Sequence, residues 1–260
     1  MAWWIALGGI VVLSLAGWGQ SAAPVKGPAE AALLDRVSKY AREYGDQMPD
    51  FVCVRVTRRS EDNSGTGKKW KLLDTIEEGL ACVEGREDYI VLKVNGKAVK
   101  GSARLASGFN SQGEFGEILA GIFAEDTQAA FQWGAGDSSN GGRAEVLHFR
   151  VDRAHSGYRI QEGGSAGIKV GFGGLIYADP ESGAVERLRV ETDPPTGLNV
   201  SNITTDVRFA RAAIGGKTYM LPAQAEATIQ HEKTILKREM EFRDYHKYSA
   251  DSTVFYGPVK

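Results

Sequence analysis

Residues 223–243 read AQAEATIQHEKTILKREMEFR. Ala223, Ala225, Ala227 and Ile229 alternate with Gln224, Glu226, Thr228 and Gln230. After a break, Leu236, Met240 and Phe242 alternate with Lys237, Glu239, Glu241 and Arg243. A period of two with one apolar side predicts half-buried antiparallel strands. A one-residue slip would turn over every side chain of a strand, so only one parity of pairing keeps both apolar sets on one face. A two-residue turn at Glu232-Lys233 satisfies that parity and sets Ala225 opposite Met240 and Ala223 opposite Phe242. One side of this sheet is wet. The other needs a cover.

The cover is sought upstream. Leu33, Leu34, Val37, Tyr40, Ala41 and Tyr44 recur at helical spacing, which predicts a helix over 29–44 that stops at Gly45. Ser111-Gln112-Gly113-Glu114 has the spacing of a capping box, and behind it Phe115, Ile118, Leu119, Ile122 and Phe123 fall at i, i+3, i+4, i+7 and i+8. A second amphipathic helix is therefore expected over 114–124, and Asp126 or Thr127 is placed to cap a short helix through Phe131.

Most of the rest reads as strand. Val52, Val54 and Val56 face one way and Arg55 and Thr57 the other, followed by a polar turn over 61–68. A long strand region over 72–94 breaks at Glu84-Gly85, and Asn95-Gly96 is the strongest hairpin dipeptide in the chain. A glycine-rich loop over 134–142 precedes strands over 144–151 and 158–161. Pro180 and Gly183 make a hairpin turn of Tyr177-Ala178-Asp179-Pro180-Glu181-Ser182-Gly183, and Leu188 and Val190 continue the alternation until Pro194-Pro195. Val207 and Phe209 mark another strand, which Gly215-Gly216 turns into one over 218–221. The expected count is about nine or ten strands and two or three helices, an α+β arrangement without internal repeats.

Composition excludes several function classes. The 260 residues are 42% hydrophobic and 25% charged, an ordinary globular balance, and the net charge of −2 argues against a nucleic-acid partner. Residues 1–23 carry no charged side chain, and Trp3 to Leu15 is a short apolar run that small residues follow. That pattern fits a secretory signal peptide cleaved near Ser21, and the run falls short of the roughly 20 residues of a spanning helix. Trp18 stands where a lipidated cysteine would be in a lipoprotein box begun by Leu15-Ala16-Gly17. The mature chain, 24–260, is expected to be one exported, periplasmic domain. In an exported chain the even pair Cys53 and Cys82 reads as a disulfide, although a simple hairpin through 60–69 sets Cys53 near Ile76 and demands a bulge.

No constellation carries chemistry. Gly171, Gly173 and Gly174 lack the ending of a phosphate loop, and no helix follows them. His148, His155, His231 and His246 share no ligand spacing, so neither a metal nor a cofactor is expected. No serine sits in a nucleophile elbow. Glu77-Glu78 and Glu125-Asp126 are adjacent pairs, whose side chains point to opposite faces on a strand. Trp70, Trp133, Phe109, Phe115, Phe123 and Phe131 group around the helical middle and the first hairpin. Three alanines in line fill little volume, so a helix packs close to them or a cavity remains.

The turn at 177–183, the following Val207-Arg208-Phe209, Gly215-Gly216 and Tyr219-Met220-Leu221-Pro222, and the closing Phe242-Arg243-Asp244-Tyr245 together resemble the lipoprotein carrier (LolA/LolB-like) superfamily. Its outer-membrane lipoprotein-sorting relatives look closest. The resemblance implies a strongly curved antiparallel half-barrel whose concave face is covered by two or three helices. It also implies a non-enzymatic protein that carries an acyl chain, a lipid or a lipoprotein there. An envelope sensor that meets a protein partner without bound lipid is the alternative. The groove is expected to be lined by Phe115, Leu119, Ile122, Phe123, Ala223, Ala225, Ala227, Met240 and Phe242.

Overall fold

A computed structural model of the chain describes residues 27–99, 116–134, 144–160 and 167–248. The charge-free segment 1–23, Phe109, the capping box at 111–114 with Phe115, and loop 135–143 lie outside the described residues.

Helix α1 (Pro28–Gln47) begins with proline at its first turn, where the missing N–H costs nothing, and Gly27 precedes it in an extended conformation. It passes the expected stop at Gly45 and ends at Gln47, because Pro49 pushes Met48 into the extended region. Leu33, Val37, Ala41 and Tyr44 form its buried stripe. The second helix, α2 (Glu117–Ile122), is only 6 residues long, and a 3-10 turn (Glu125–Thr127) follows it. The expected short helix through Phe131 does not form. Phe131 and Trp133 alternate on strand β5 (Ala130–Gly134), where Phe131 pairs with Phe149 and Trp133 with Leu147.

The remaining strands are β1 (Phe51–Asp62), β2 (Lys71–Val83), β3 (Arg86–Val94), β4 (Lys97–Ala98), β6 (Glu145–Val151), β7 (Arg159–Ile160), β8 (Ile168–Lys169), β9 (Gly171–Ala178), β10 (Val185–Asp193), β11 (Val200–Ile214), β12 (Lys217–His231) and β13 (Thr234–Lys247). With β5, eleven of the thirteen described strands form one antiparallel sheet in the order β4-β3-β2-β1-β13-β12-β11-β10-β9-β6-β5, and β7 and β8 pair separately. The sheet is open rather than closed on itself. Each neighbour in it is a hairpin partner except at two joints, β1 with β13 and β6 with β9. The first of these brings the two ends of the strand run together.

The turns fall where the sequence places them. His231 pairs with Thr234 across Glu232-Lys233, and Ala225 pairs with Met240. Asn95-Gly96 and Gly215-Gly216 adopt positive φ at both positions, the geometry a twisted two-residue hairpin needs. The strand over 218–221 and the one beginning at Ala223 are a single strand, β12. Pro222 is tolerated within it at an irregularity opposite Phe209. In β13, Asp244 takes a φ of 56 beside a register shift against β1, and the bulge leaves Phe242 and Tyr245 both packed into the core.

Two expectations are corrected in β1. Its loop to β2 covers 63–70 and so lies further along the chain than the expected turn, because the Asp62 carboxylate at the end of β1 accepts hydrogen bonds from the backbone N–H groups of Ser64, Lys68 and Lys69. A further shift between Arg59 and Ser60 moves the register again. Cys53 therefore lies opposite Leu80, not Ile76, and Phe51 lies opposite Cys82. The cysteines are diagonal neighbours, at about 7–8 Å in such a ladder, which is beyond disulfide reach. Both are free and buried, so the expected disulfide is not formed. Burial pushes the Cys53 thiol up to about 12 and the Cys82 thiol up to about 11. With so little thiolate, a thiol reagent at pH 8 should label the native protein slowly, and unfolding should release two reactive thiols per chain without reductant. Two thiols appearing only after reduction would contradict this register.

Candidate ligand groove between the helices and the sheet

The turn after β9 is the seat of helix α1. Asp179 Oδ1 accepts from the backbone N–H of Glu181 (3.1 Å) and of Ser182 (2.7 Å) and from the Ser182 hydroxyl (2.7 Å). Those bonds, with Ser182's the largest, hold the Asp179 carboxyl below the usual range. Gly183 closes the turn at φ 74, and a Cβ there would lie 2.8 Å from the backbone of Arg36. Only glycine lets the turn and the helix approach so closely. Arg36 in turn donates to the Pro180 carbonyl at 2.9 Å.

Further ties fix the helix along its length. The Trp133 indole donates to the Glu30 carbonyl at 3.2 Å. Near the other end the Tyr44 hydroxyl donates to the Met220 carbonyl at 2.8 Å, and its ring meets Phe209 edge-on at 5.9 Å. Helix α2 rests on α1 at Gly116, where a Cβ would stand 2.6 Å from the Tyr44 ring. Leu119, Ile122 and Phe123 are buried, and Phe123 stacks on Phe131 at 4.9 Å. The Thr127 hydroxyl caps this short segment by donating to the Ala124 carbonyl at 2.6 Å.

On the sheet side, Ala225, Ala227, Met240 and Phe242 are buried and belong to the same apolar cluster as Leu119, Ile122, Phe123 and the α1 stripe. Ala223 is only half-buried, and Phe115 lies outside the described residues. Ala225 is opposite Val207 and Ala227 opposite Thr205, so Thr205 extends the small-residue strip onto β11. Phe123, Phe131 and Trp133 gather at the helices as expected. Trp70 does not. It sits at the far end of the first hairpin, partly exposed, with the Lys237 ammonium 4.8 Å from its ring.

The alternation reading missed the polar half of this face. Arg55 and Thr57 share their side of β1 with Phe51 and Cys53, whose burial in the core makes it the helix-bearing side. Arg55 forms a salt bridge with Glu78 at 2.8 Å, their side chains only 6% and 7% exposed, and its guanidinium lies 4.1 Å from the Tyr89 ring centre. Arg59 Nε donates to Asp74 Oδ1 at 2.7 Å. Arg238 stands opposite Arg59 across the β1–β13 pair. Burial pushes the Arg238 guanidinium down to about 10, Arg59 and Arg55 add to that, and Glu78 and Asp74 oppose it. The signal was present in the sequence: Arg55 and Thr57 have the parity of Phe51 and Cys53.

The other face carries a cleft of about 560 Å³. Arg58, Arg187, Arg189, Arg208, Asp206, Glu226, Glu239 and Glu241 supply its charged walls, with Arg187 held by Asp206 at 2.7 Å. Among the described residues no group of three or more histidine, cysteine or acidic side chains is placed to hold a metal, and no helix is long and apolar enough to cross a membrane.

No family model matches the chain, and no curated protein matches its sequence. Solved structures do. A LolA superfamily protein from Nitrosomonas europaea is 11% identical, with 87% of this chain and 97% of that one covered and a TM-score of 0.36. An outer membrane lipoprotein-sorting protein domain from Vibrio parahaemolyticus is 13% identical over 84% of this chain and 92% of that one, at a TM-score of 0.38. A DUF1329 family protein from Desulfovibrio piger is 10% identical over 87% and 95%, at a TM-score of 0.39. All three TM-scores are below 0.5.

The buried ion pair gives a direct check of that geometry. Arg55→Met should destabilise the protein by about 3–5 kcal/mol in urea titrations, because Glu78 is left charged and unpaired in the interior. Arg55→Met with Glu78→Leu should recover most of the loss. A neutral single variant would place the pair in solvent.

Proposed function

We propose that this chain is a non-enzymatic periplasmic binding protein. It takes an acyl chain, as a free lipid or as part of a lipoprotein, into the space between its helices and the concave face of a curved sheet. Residues 24–260 act as one domain after residues 1–23 are removed on export. The observation that carries the reading is the strip formed by Ala225, Ala227 and Thr205. These three small side chains are buried side by side in the apolar face, and side chains so small leave room above them for a close neighbour or for a ligand. Met240 and Phe242 stand on one side of the strip, and Val207 and Phe209 on the other. Leu119, Ile122 and Phe123 come toward the same cluster from the helices. A slot with apolar walls and a few polar groups at one end is the usual form of a small-ligand site.

Protein purified without detergent should yield an acyl lipid on organic extraction and mass spectrometry. Ala225→Phe separates a slot from a solid core. In a slot, the phenyl ring occupies the ligand's place, so co-purified lipid falls by about tenfold and the melting temperature holds. In a packed core, the same change costs about 1–3 kcal/mol of stability. A clean extract from the wild type, together with a destabilised Ala225→Phe, would refute the binding reading.

A further inference from the structure

The end of the sheet away from helix α1 is built from two hairpin tips side by side. Tyr44 of α1 reaches Met220 near the start of β12, whereas these tips lie past the other end of that strand, at His231. A Cβ on Gly65, in the β1–β2 loop, would stand 2.8 Å from the Lys233 carbonyl oxygen of the β12–β13 turn, and the Thr234 hydroxyl donates to Asn63 Oδ1 at 3.2 Å. The Asp62 carboxylate pins the β1–β2 loop, accepting from the N–H groups of Ser64 at 2.8 Å, Lys68 at 3.0 Å and Lys69 at 3.2 Å. Out of that loop comes Lys68-Lys69-Trp70-Lys71-Leu72-Leu73, six consecutive residues that are all exposed.

We propose that this tip docks on an anionic lipid surface, with Trp70, Leu72 and Leu73 entering the interface and the lysines meeting the head groups. The inference goes beyond the binding reading and does not depend on an occupied groove. Two observations carry it, the first apolar and the second electrostatic. Of the five large apolar side chains exposed among the described residues, three are Trp70, Leu72 and Leu73. A fourth, Leu236, stands opposite Glu61, which is itself opposite Lys71. Strict alternation would turn one of the two leucines to the helix-bearing side. Leu73 is instead the extra residue where Arg59 pairs with Asp74 and Ser60 with Leu72, and both leucines project into water, at 50% and 45% exposure. Apolar side chains gathered in one exposed place mark an interaction surface, whereas scattered ones need no explanation.

The charges at the tip select the partner. Glu61 holds Lys71 and Glu239 holds Lys237, each at 3.2 Å, and the Lys237 ammonium also lies 4.8 Å from the Trp70 ring. Asp74 is held by Arg59, and Asp62 is buried with its oxygens on the loop's N–H groups. Glu232 stands beside Lys233 in the second turn. The Lys68 and Lys69 side chains make no ion pair among the described residues, so the exposed surface of the tip keeps their positive charge. Lysine stems lie along apolar surface while their ammonium groups reach the head-group layer, and tryptophan and leucine sit at the same depth. A lipid interface answers both chemistries at once, whereas a soluble polyanion answers only the lysines.

The test uses the mature chain, residues 24–260, with vesicles of phosphatidylglycerol or of phosphatidylcholine. The protein should sediment with the first about tenfold or more tightly than with the second, and added salt should release it. Trp70 emission should move to shorter wavelength on binding, and Trp70→Phe should abolish that shift. Lys68→Gln with Lys69→Gln should weaken binding to phosphatidylglycerol by about twentyfold. Leu72→Ser with Leu73→Ser should weaken it by about tenfold. Both double variants should keep the wild-type melting temperature, because the substituted side chains are exposed. Equal binding to the two vesicles, no binding to either, or binding that both double variants leave unchanged would overturn the proposal. Polyglutamate bound as tightly as phosphatidylglycerol vesicles would give the tip to an acidic peptide and overturn it too. So would a wild-type dimer that Leu72→Ser with Leu73→Ser separates, which would give the leucines to a second copy. Lipid extracted from the groove is a separate measurement, so the docking and the binding readings can each fail alone.

Discussion

The contact on which the structure depends is the seating of α1 on the apolar side of the sheet. An antiparallel sheet with one dry face has no stable form until that face leaves water. Leu33, Val37, Ala41 and Tyr44 are the helix's part of the seal. Each large side chain so buried contributes about 1.5–3 kcal/mol, a sum comparable with the net stability of a whole domain. The helix is not merely adherent. Arg36 on the Pro180 carbonyl, Tyr44 on the Met220 carbonyl and the close pass at Gly183 set its position along the sheet. The turn at 177–183 is thus both a hairpin and a helix dock.

Much of this was legible in the sequence because the dry face repeats. Period-two runs fixed the pairing of β12 with β13 to the residue, and the glycine dipeptides fixed the turns at 95–96 and 215–216. The α1 stripe was equally plain. What failed were places where the alternation is interrupted by a residue that belongs to no period. The Asp62 loop and the shift at Arg59 moved β1 against β2 and brought Cys53 to a diagonal of Cys82, nearer than expected but not opposite it. The bulge at Asp244 put Phe242 and Tyr245 into one core, which no strict alternation allows.

The polar half of the candidate site was hidden for a different reason. Sequence reading assigns charged residues to water, and on β1 that rule opposed the parity of Phe51 and Cys53. Parity prevailed, because a strand cannot rotate one residue out of its ladder. The outcome is a row of charged groups held inside by one another, Arg55 with Glu78 and Arg59 with Asp74. Paired burial of this kind is costly to maintain, and a buried pair can often be replaced by apolar residues without loss. It lies directly beside Ala225 and Ala227, so the apolar face passes into a row of paired charges within two strands.

The seal between α1 and the sheet is best tested at Val37, which is 0% exposed at the centre of the stripe. Val37→Asp buries a charge with no counterpart there, so the helix should lift from the face while the hairpin ladder survives. The account predicts a Val37→Asp protein that keeps its far-ultraviolet strand signal, melts well below the wild type and binds a fluorescent apolar dye strongly. A variant with unchanged melting temperature and no dye binding would contradict it, since the sheet would then need no helix to keep its dry side from water.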